Sequence, residues 1–212
     1  MSRVYLSPSL QEHNVGVGAY GTEMDRMRQV AEAARQRLIH YGVEVRLPAK
    51  AWAYLDPGAS LYKVVKDSNA WRADLHICAH TDASGDKTRG GTMTMYYPGS
   101  VKGERIATLI QKHVAPLSPG ADRGLVTSPV FYETREARAP VAYLEMAFHT
   151  SYADANSVIQ RHEAYGVAIA DACLEYLGIT AKPLPIPTPA PVARRPRTWG
   201  IWRLVRLFKK HR

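Results

Sequence analysis

The order of apolar and polar positions divides the first part of the chain into short strands and one long helix. Residues 4–7 form an apolar run that ends at Pro8, and residues 43–47 alternate in polarity, so each run predicts a strand. Between them, residues 22–41 carry apolar side chains at helical spacing, and Gly42 follows where a helix would end. The opening therefore predicts a strand, a helix and a second strand.

The same alternation continues to about residue 177. Helical spacing predicts helices over residues 59–72, 101–114 and 153–177. Apolar runs or runs of strand-forming residues predict strands at residues 73–80, 92–97 and 141–148. Strands that alternate with helices predict an α/β domain with a mostly parallel, twisted sheet and helices on both faces. The site of such a domain lies beyond the carboxyl ends of its strands, where His80 and Glu145 fall.

The remainder of the chain has a different composition. Prolines occupy every second position from 183 to 191, which is typical of a semi-rigid polyproline spacer. Beyond it, helical spacing would place apolar residues on one side and basic residues on another. We therefore predict a single catalytic domain over residues 1–179, a proline-rich basic linker over 180–197 and a cationic amphipathic helical tail over 198–212.

The net charge of +9 lies entirely in this last part of the chain. Residues 181–212 contain Lys and Arg but no Asp or Glu, so the preceding residues are electrically balanced. A balanced body argues against nucleic acid as a partner. We expect the tail to bind an anionic wall polymer or membrane surface, although a helix docked on the protein's own body would have the same pattern. The residues expected to contact the surface are Trp199, Trp202, Arg203, Arg206, Phe208, Lys209 and Lys210.

Other global features concern the compartment in which the chain works. Cys78 and Cys173 lie in apolar runs at a spacing that matches no metal motif, so we interpret both as buried free thiols. The opening residues contain no apolar signal core, and no stretch approaches the ~20 apolar residues of a membrane span. We expect synthesis in the cytoplasm without a signal peptide, followed by another route of release.

Histidines and carboxylates supply the candidate chemistry. A catalytic zinc site needs three protein ligands, usually His or Glu, and one open position. Four of the eight histidines, His40, His113, His162 and His211, fall in polar helical segments or in the tail, which leaves His13, His76, His80 and His149. His76 and His80 are about 13 Å apart on an extended strand, so they cannot share one ion, and His80 is nearer the strand's end. The pattern alone leaves the ligand set open.

Four ordered segments resemble the zinc-dependent N-acetylmuramoyl-L-alanine amidase family of the amidase-3 type. They are GTEMDRMRQVAEAARQRLIHYGVEVRL, ADLHICAHTDAS, GGTMTMYY and APVAYLEMAFHTSYADA, and the similarity covers about residues 3–178. The resemblance implies one zinc ion, with Glu23 and His80 as ligands and Glu145 as the catalytic carboxylate. Most members carry a further histidine ligand in a DPGHGG-like loop, where this chain has SPSLQEHN, as some phage-type members do. His13 is the histidine of that loop and is assigned as the remaining ligand.

The resemblance also implies the reaction, which is hydrolysis of the amide between N-acetylmuramic acid and L-alanine in peptidoglycan. His149 and Asp82 follow the two site strands, and we interpret them as candidate substrate-binding residues. A phage endolysin is the expected role. The alternatives are a bacterial autolysin of sporulation or mother-cell lysis, another zinc peptidase of the cell wall, and a non-catalytic wall binder.

Overall fold

Strands and helices follow one another along the chain much as the apolar pattern predicts. The computed structural model describes residues 1–182, so the calls on most of the linker and on the tail lie outside the described residues. The elements are β1 (Arg3–Pro8), α1 (Glu23–His40), β2 (Glu44–Arg46), α2 (Pro57–Trp71), β3 (Leu75–Asp82), β4 (Gly91–Tyr96), α3 (Val101–Val114), β5 (Ala121–Thr127), α4 (Tyr132–Glu136), β6 (Val141–Phe148) and α5 (Tyr152–Tyr176). Short 3-10 helices cover Lys50–Tyr54 and Ala115–Leu117.

All six strands belong to one sheet with the order β2-β1-β3-β6-β4-β5. The first four strands in this order are parallel, β4 pairs antiparallel with β6, and β5 is parallel to β4. This arrangement confirms the predicted α/β class with a mostly parallel sheet. The register of β3 and β6 places His80 directly opposite Glu145.

The two faces of the sheet are packed by different helices, because side chains alternate along each strand. On β3, Leu75, Ile77 and Ala79 join the main core with the apolar faces of α1, α3 and α5. Cys78 points to the other face, where it packs with Tyr143 and with Phe131, the residue just before α4. Helices therefore cover both faces of the sheet.

The start of α1 is fixed by a local hydrogen bond that also positions a site residue. The Thr22 side chain caps the helix by accepting a hydrogen bond from the backbone N–H of Asp25. Glu23 is consequently the first residue of α1, at the helix end that favours a negative charge. The carboxylate is thus held at the carboxyl edge of the neighbouring strands.

Two elements have no counterpart among the predicted ones. Residues 115–124 read as a loop, but Ala121–Thr127 form the edge strand β5. The strand is mostly exposed, so its sequence lacks the apolar alternation that would reveal it. The five residues of α4 are too few for a helical period to be visible. Among residues 1–182, no helix combines the length and apolarity needed to cross a bilayer.

Candidate active site

Glu23 and His80 form a buried pair at the carboxyl end of β3. The His80 Nδ1–H donates to Glu23 Oε1 over 3.1 Å, and the backbone N–H of Thr81 donates to the same oxygen over 3.0 Å. The other carboxylate oxygen, Oε2, accepts from the side-chain amide of Asn14 at 2.7 Å. The Glu23 side chain is 1% exposed and that of His80 is 8% exposed. The pair is therefore a fixed donor set with little access to bulk water.

Burial and pairing act in opposite directions on these two groups. Burial alone would raise the pKa of Glu23, but the hydrogen bond and charge of His80, with further bonds from Asn14 and Thr81, lower it below its usual value. Burial alone would lower the pKa of His80, yet the hydrogen bond and charge of Glu23 raise it to about 9. In the metal-free protein the pair is therefore an imidazolium beside a carboxylate.

Glu145 lies beside this pair on β6 and has a different environment. Its Oε2 is buried and has no hydrogen-bond partner among the described residues. Burial raises the pKa of Glu145 to about 8. The charge of His80 lowers this pKa, the charges of Glu23 and Asp82 raise it, and the charge of Arg123 lowers it. An unpartnered buried carboxylate oxygen is costly unless a ligand or reacting group uses it.

The donor atoms fit a zinc ion. A tetrahedral ion with bonds of about 2.0–2.1 Å separates neighbouring ligand atoms by about 3.3 Å, and Glu23 Oε1 and His80 Nδ1 are 3.1 Å apart. The free oxygen of Glu145 adds an acceptor next to them. This separation suits two ligands of one ion, and the assignment of Glu23 and His80 as zinc ligands stays a prediction.

His13 is not brought into this donor set. Its side chain is 93% exposed, and its Nε2 lies 3.5 Å from the Glu12 carboxylate. No group of three or more His, Cys, Asp and Glu residues in residues 1–182 with ligand atoms within 4.8 Å of one another includes His13. The loop residue that contacts Glu23 is instead Asn14, whose amide also donates to Gln11 at 2.6 Å. The assignment of His13 as a ligand stays a prediction.

His149 is nearby but is occupied by the protein's own contacts. Its Nδ1 lies 3.1 Å from Thr81 Oγ1, and that hydroxyl also contacts the Tyr20 hydroxyl at 2.9 Å. The backbone N–H of His149 donates to Asp82 O, which ties the ends of β3 and β6 together. With 4% exposure, the ring is placed to hold Thr81 and Tyr20, and a role in substrate binding stays a prediction.

Asp82 is paired with an arginine that the sequence did not single out. Arg123 on β5 donates from NH1 to Asp82 Oδ2 at 2.8 Å, and its guanidinium lies 4.7 Å from the centre of the Phe148 ring. The arginine thus adds a positive charge near Glu145. Arg123 escaped detection because its segment was interpreted as a loop. The role of Asp82 in substrate binding also stays a prediction.

A cavity of about 570 Å³ adjoins the pair. Its rim is the loop that follows β1, including His13 and Asn14, and its opposite wall comes from residues 53–64. His80 and the buried Glu133 of α4 also line it. The cavity therefore combines an apolar wall with acidic and histidine side chains, as ligand sites commonly do.

Comparison with known proteins identifies the family and the fold. A sequence profile described as N-acetylmuramoyl-L-alanine amidase matches residues 4–176. A search among curated proteins finds no match. The fold is similar to the catalytic domain of CwlV, an N-acetylmuramoyl-L-alanine amidase from Bacillus (Paenibacillus) polymyxa var. colistinus. Identity is 22%, the TM-score is 0.75, and the alignment covers 85% of this chain and 100% of that one.

Two further solved structures have the same fold. The amidase AmiC2 of Nostoc punctiforme is 19% identical with a TM-score of 0.74, over 84% of this chain and 97% of that one. The catalytic domain of an endolysin targeting Clostridia difficile is 18% identical with a TM-score of 0.70, over 86% and 100%. These likenesses show the fold, whereas the profile match spans most of the chain. The chain belongs to the N-acetylmuramoyl-L-alanine amidase family.

Proposed function

We propose that this amidase uses one zinc ion and Glu145 to hydrolyse the amide between the lactyl group of N-acetylmuramic acid and the L-alanine of the stem peptide. The observation that carries the proposal is Glu145 itself. Its buried oxygen has no protein partner among residues 1–182, and it lies beside a pair of zinc-type donors. A buried carboxylate with a free oxygen beside metal-type donors is suited to acid–base work in hydrolysis.

Glu23 and His80 would hold the ion, and His13 is the proposed third ligand. His13 would have to turn inwards from its exposed position, and it already lies on the rim of the cavity that reaches His80. When bound, the ion supplies Lewis-acid chemistry that polarises a carbonyl and acidifies water. Asn14 and the Thr81 N–H orient the Glu23 carboxylate, as outer hydrogen bonds do in metal sites.

Glu145 is the proposed general base and general acid. In the metal-free protein burial raises the pKa of Glu145 to about 8, and a bound cation beside it would lower that pKa so that the carboxylate can accept a proton at neutral pH. Its Oε2 would accept a proton from the attacking water and then return it to the nitrogen of the leaving L-alanine. Because no other residue among those described bonds that oxygen, no competing hydrogen bond has to be broken first.

Analysis of the products tests the position of cleavage. Purified peptidoglycan would be digested with the full chain, and the soluble fragments would be identified by mass and by their amino termini. The proposal predicts intact stem peptides with a new L-alanine amino terminus. Fragments cut within the stem peptide, without L-alanine termini, would refute the amidase assignment and favour another zinc peptidase of the wall.

For the biological role we propose a phage endolysin whose basic tail concentrates the enzyme on an anionic wall polymer or membrane surface. The proposal rests on the separation of charge along the chain, since residues 181–212 carry the whole net charge of +9. A cytoplasmic origin with later release to the wall belongs to the same proposal. A bacterial autolysin is the alternative role, and a neighbouring holin gene would favour the endolysin over it.

Charge reversal in the full chain tests the tail. A variant with Arg203→Glu and Arg206→Glu is predicted to bind cells and anionic vesicles less than wild type at low salt, with the difference shrinking as salt rises. Its rate on soluble muropeptides should equal that of wild type. Equal binding by the two proteins at low salt would contradict the targeting role.

A further inference from the structure

A second cluster of ligand-type side chains lies under the same sheet, outside the proposed active site. Alternation along β3 places His76, Cys78 and His80 on one face of the strand. His80 belongs to the active site, while His76 and Cys78 are fully buried and face Glu133 of α4, which is 2% exposed. The mechanism uses neither His76 nor Cys78 nor Glu133.

The three side chains converge closely. His76 Nε2 lies 3.1 Å from Glu133 Oε1, and the Cys78 thiol lies beside them. One ligand atom from each residue can be chosen so that all three lie within 4.8 Å of one another. No other such group of His, Cys, Asp and Glu occurs in the part of the chain that the structure describes.

We propose that His76, Cys78 and Glu133 bind a second divalent ion of the zinc type, distinct from the catalytic ion. Imidazole, thiolate and carboxylate are the three ligand classes that proteins use for zinc, and a thiolate disfavours Mg²⁺ and Ca²⁺. The hydroxyl of Ser7, 2.5 Å from Glu133 Oε1, supplies a further oxygen at the cluster.

The contacts around His76 suit a metal ligand. Its Nδ1 lies 2.9 Å from Ser68 Oγ, and its ring stacks on Tyr5 with centroids 5.2 Å apart. When Nδ1–H donates to Ser68, the lone pair of Nε2 faces Glu133 and Cys78. Such an outer hydrogen bond fixes the tautomer and direction of metal-binding histidines.

Charge balance favours an ion at this depth. His76 and Cys78 are fully buried and Glu133 is 2% exposed, so any charge at the cluster is held away from water. Binding displaces the thiol proton to solvent and leaves one thiolate, one carboxylate, one neutral imidazole and an ion of charge +2. The resulting site has no net charge, which lowers the cost of burying its carboxylate.

The cluster is reachable and separate from the catalytic pair. Ser7 and Glu133 line the cavity that also reaches His80, which gives an ion a path from the surface. Cys78 and His80 are two residues apart on β3, or about 6.6 Å along the strand. Because two of its ligands lie on β3 and the third on α4, the second ion would hold α4 against the sheet.

Cobalt substitution tests the proposal through the thiolate. The full chain would be loaded with Co²⁺, and the near-ultraviolet absorption would be searched for a sulfur-to-cobalt charge-transfer band. The proposed catalytic ligands contain no sulfur, so only Cys78 can produce this band in the native chain. We expect the band in wild type and its loss in Cys78→Ser.

Cys173→Ser is the matched control, because Cys173 is equally buried but does not belong to the cluster of His76, Cys78 and Glu133. It should keep the band and the same metal content as wild type, whereas Cys78→Ser should hold one equivalent less.

If Cys78→Ser fails to fold, Glu133→Gln should likewise lose one equivalent. A band absent from folded, cobalt-loaded wild type would overturn the proposal and leave a metal-free hydrogen-bond network. The band does not depend on lytic activity, so failure of the proposed function would be recognised separately.

Discussion

Replacement of Asn14 by alanine tests which residue of the loop after β1 supports the site. Asn14 supplies the sole hydrogen bond described for Oε2 of Glu23, at 2.7 Å, and Glu23 is 1% exposed. Removing a donor from a buried charged acceptor costs roughly 1.5–3 kcal/mol, reduced where water from the cavity can take its place. We expect Asn14→Ala to lower the free energy of unfolding by about 1–3 kcal/mol.

The assay is urea unfolding of the metal-free full chain, with His13→Ala as the matched control from the same loop. His13 is 93% exposed, so its removal should change the free energy of unfolding by no more than about 0.5 kcal/mol. If His13 supported the metal-free site instead, His13→Ala would lower the free energy of unfolding more than Asn14→Ala does. Equal, small effects of both changes would refute the reasoning that Asn14 holds the Glu23 carboxylate.

Three further predictions follow from the site and the core. Burial lowers the pKa of His80, but the hydrogen bond and charge of Glu23 outweigh it and hold that pKa at about 9, so zinc must displace a proton. Zinc affinity, measured by chelator competition, should therefore rise about tenfold from pH 7 to 8 and about fivefold more from pH 8 to 9, whereas a flat affinity would contradict this. Arg123→Met should shift the acid limb of the kcat/KM profile to higher pH, because the charge of Arg123 lowers the pKa of Glu145; an unchanged limb would exclude the coupling. Gly166→Ala should lower the free energy of unfolding by about 1–3 kcal/mol, because the added Cβ would lie 2.5 Å from the carbonyl oxygen of Val30. Gly85→Ala is the control and should be neutral, because its Cβ would meet no atom within 4 Å.

The sequence predicted the parts of the fold that have a clear period or a strong motif. The apolar run ending at His80 and the run around Glu145 form neighbouring parallel strands, so the pattern alone predicts both residues at one edge of the sheet. The helical spacing over residues 22–41 likewise placed Glu23 in the first turn of a helix, as α1 confirms. Both cysteines are buried and free of disulfides, as their apolar surroundings indicated.

What sequence reasoning missed depends on contacts between distant segments. Glu133 stands in a helix of five residues, which leaves no periodic signal, and its importance arises from contacts with Ser7 and His76 far away in the chain. Asn14 was visible as a neighbour of His13, but its bond to Glu23 depends on how the loop returns to α1. The side chain of His13 points into solvent for the same reason, since loop direction is not encoded in residue type.

Glu145→Gln, compared with wild type on purified peptidoglycan, tests the central claim most directly. Glutamine keeps the size of the side chain but cannot exchange the proton, so lysis should fall by about 10²–10⁴-fold while the zinc content stays unchanged. Glu12→Gln, at the rim of the same cavity, is the matched control and should keep both lysis and zinc. Lysis by zinc-loaded Glu145→Gln at the wild-type rate would contradict the account.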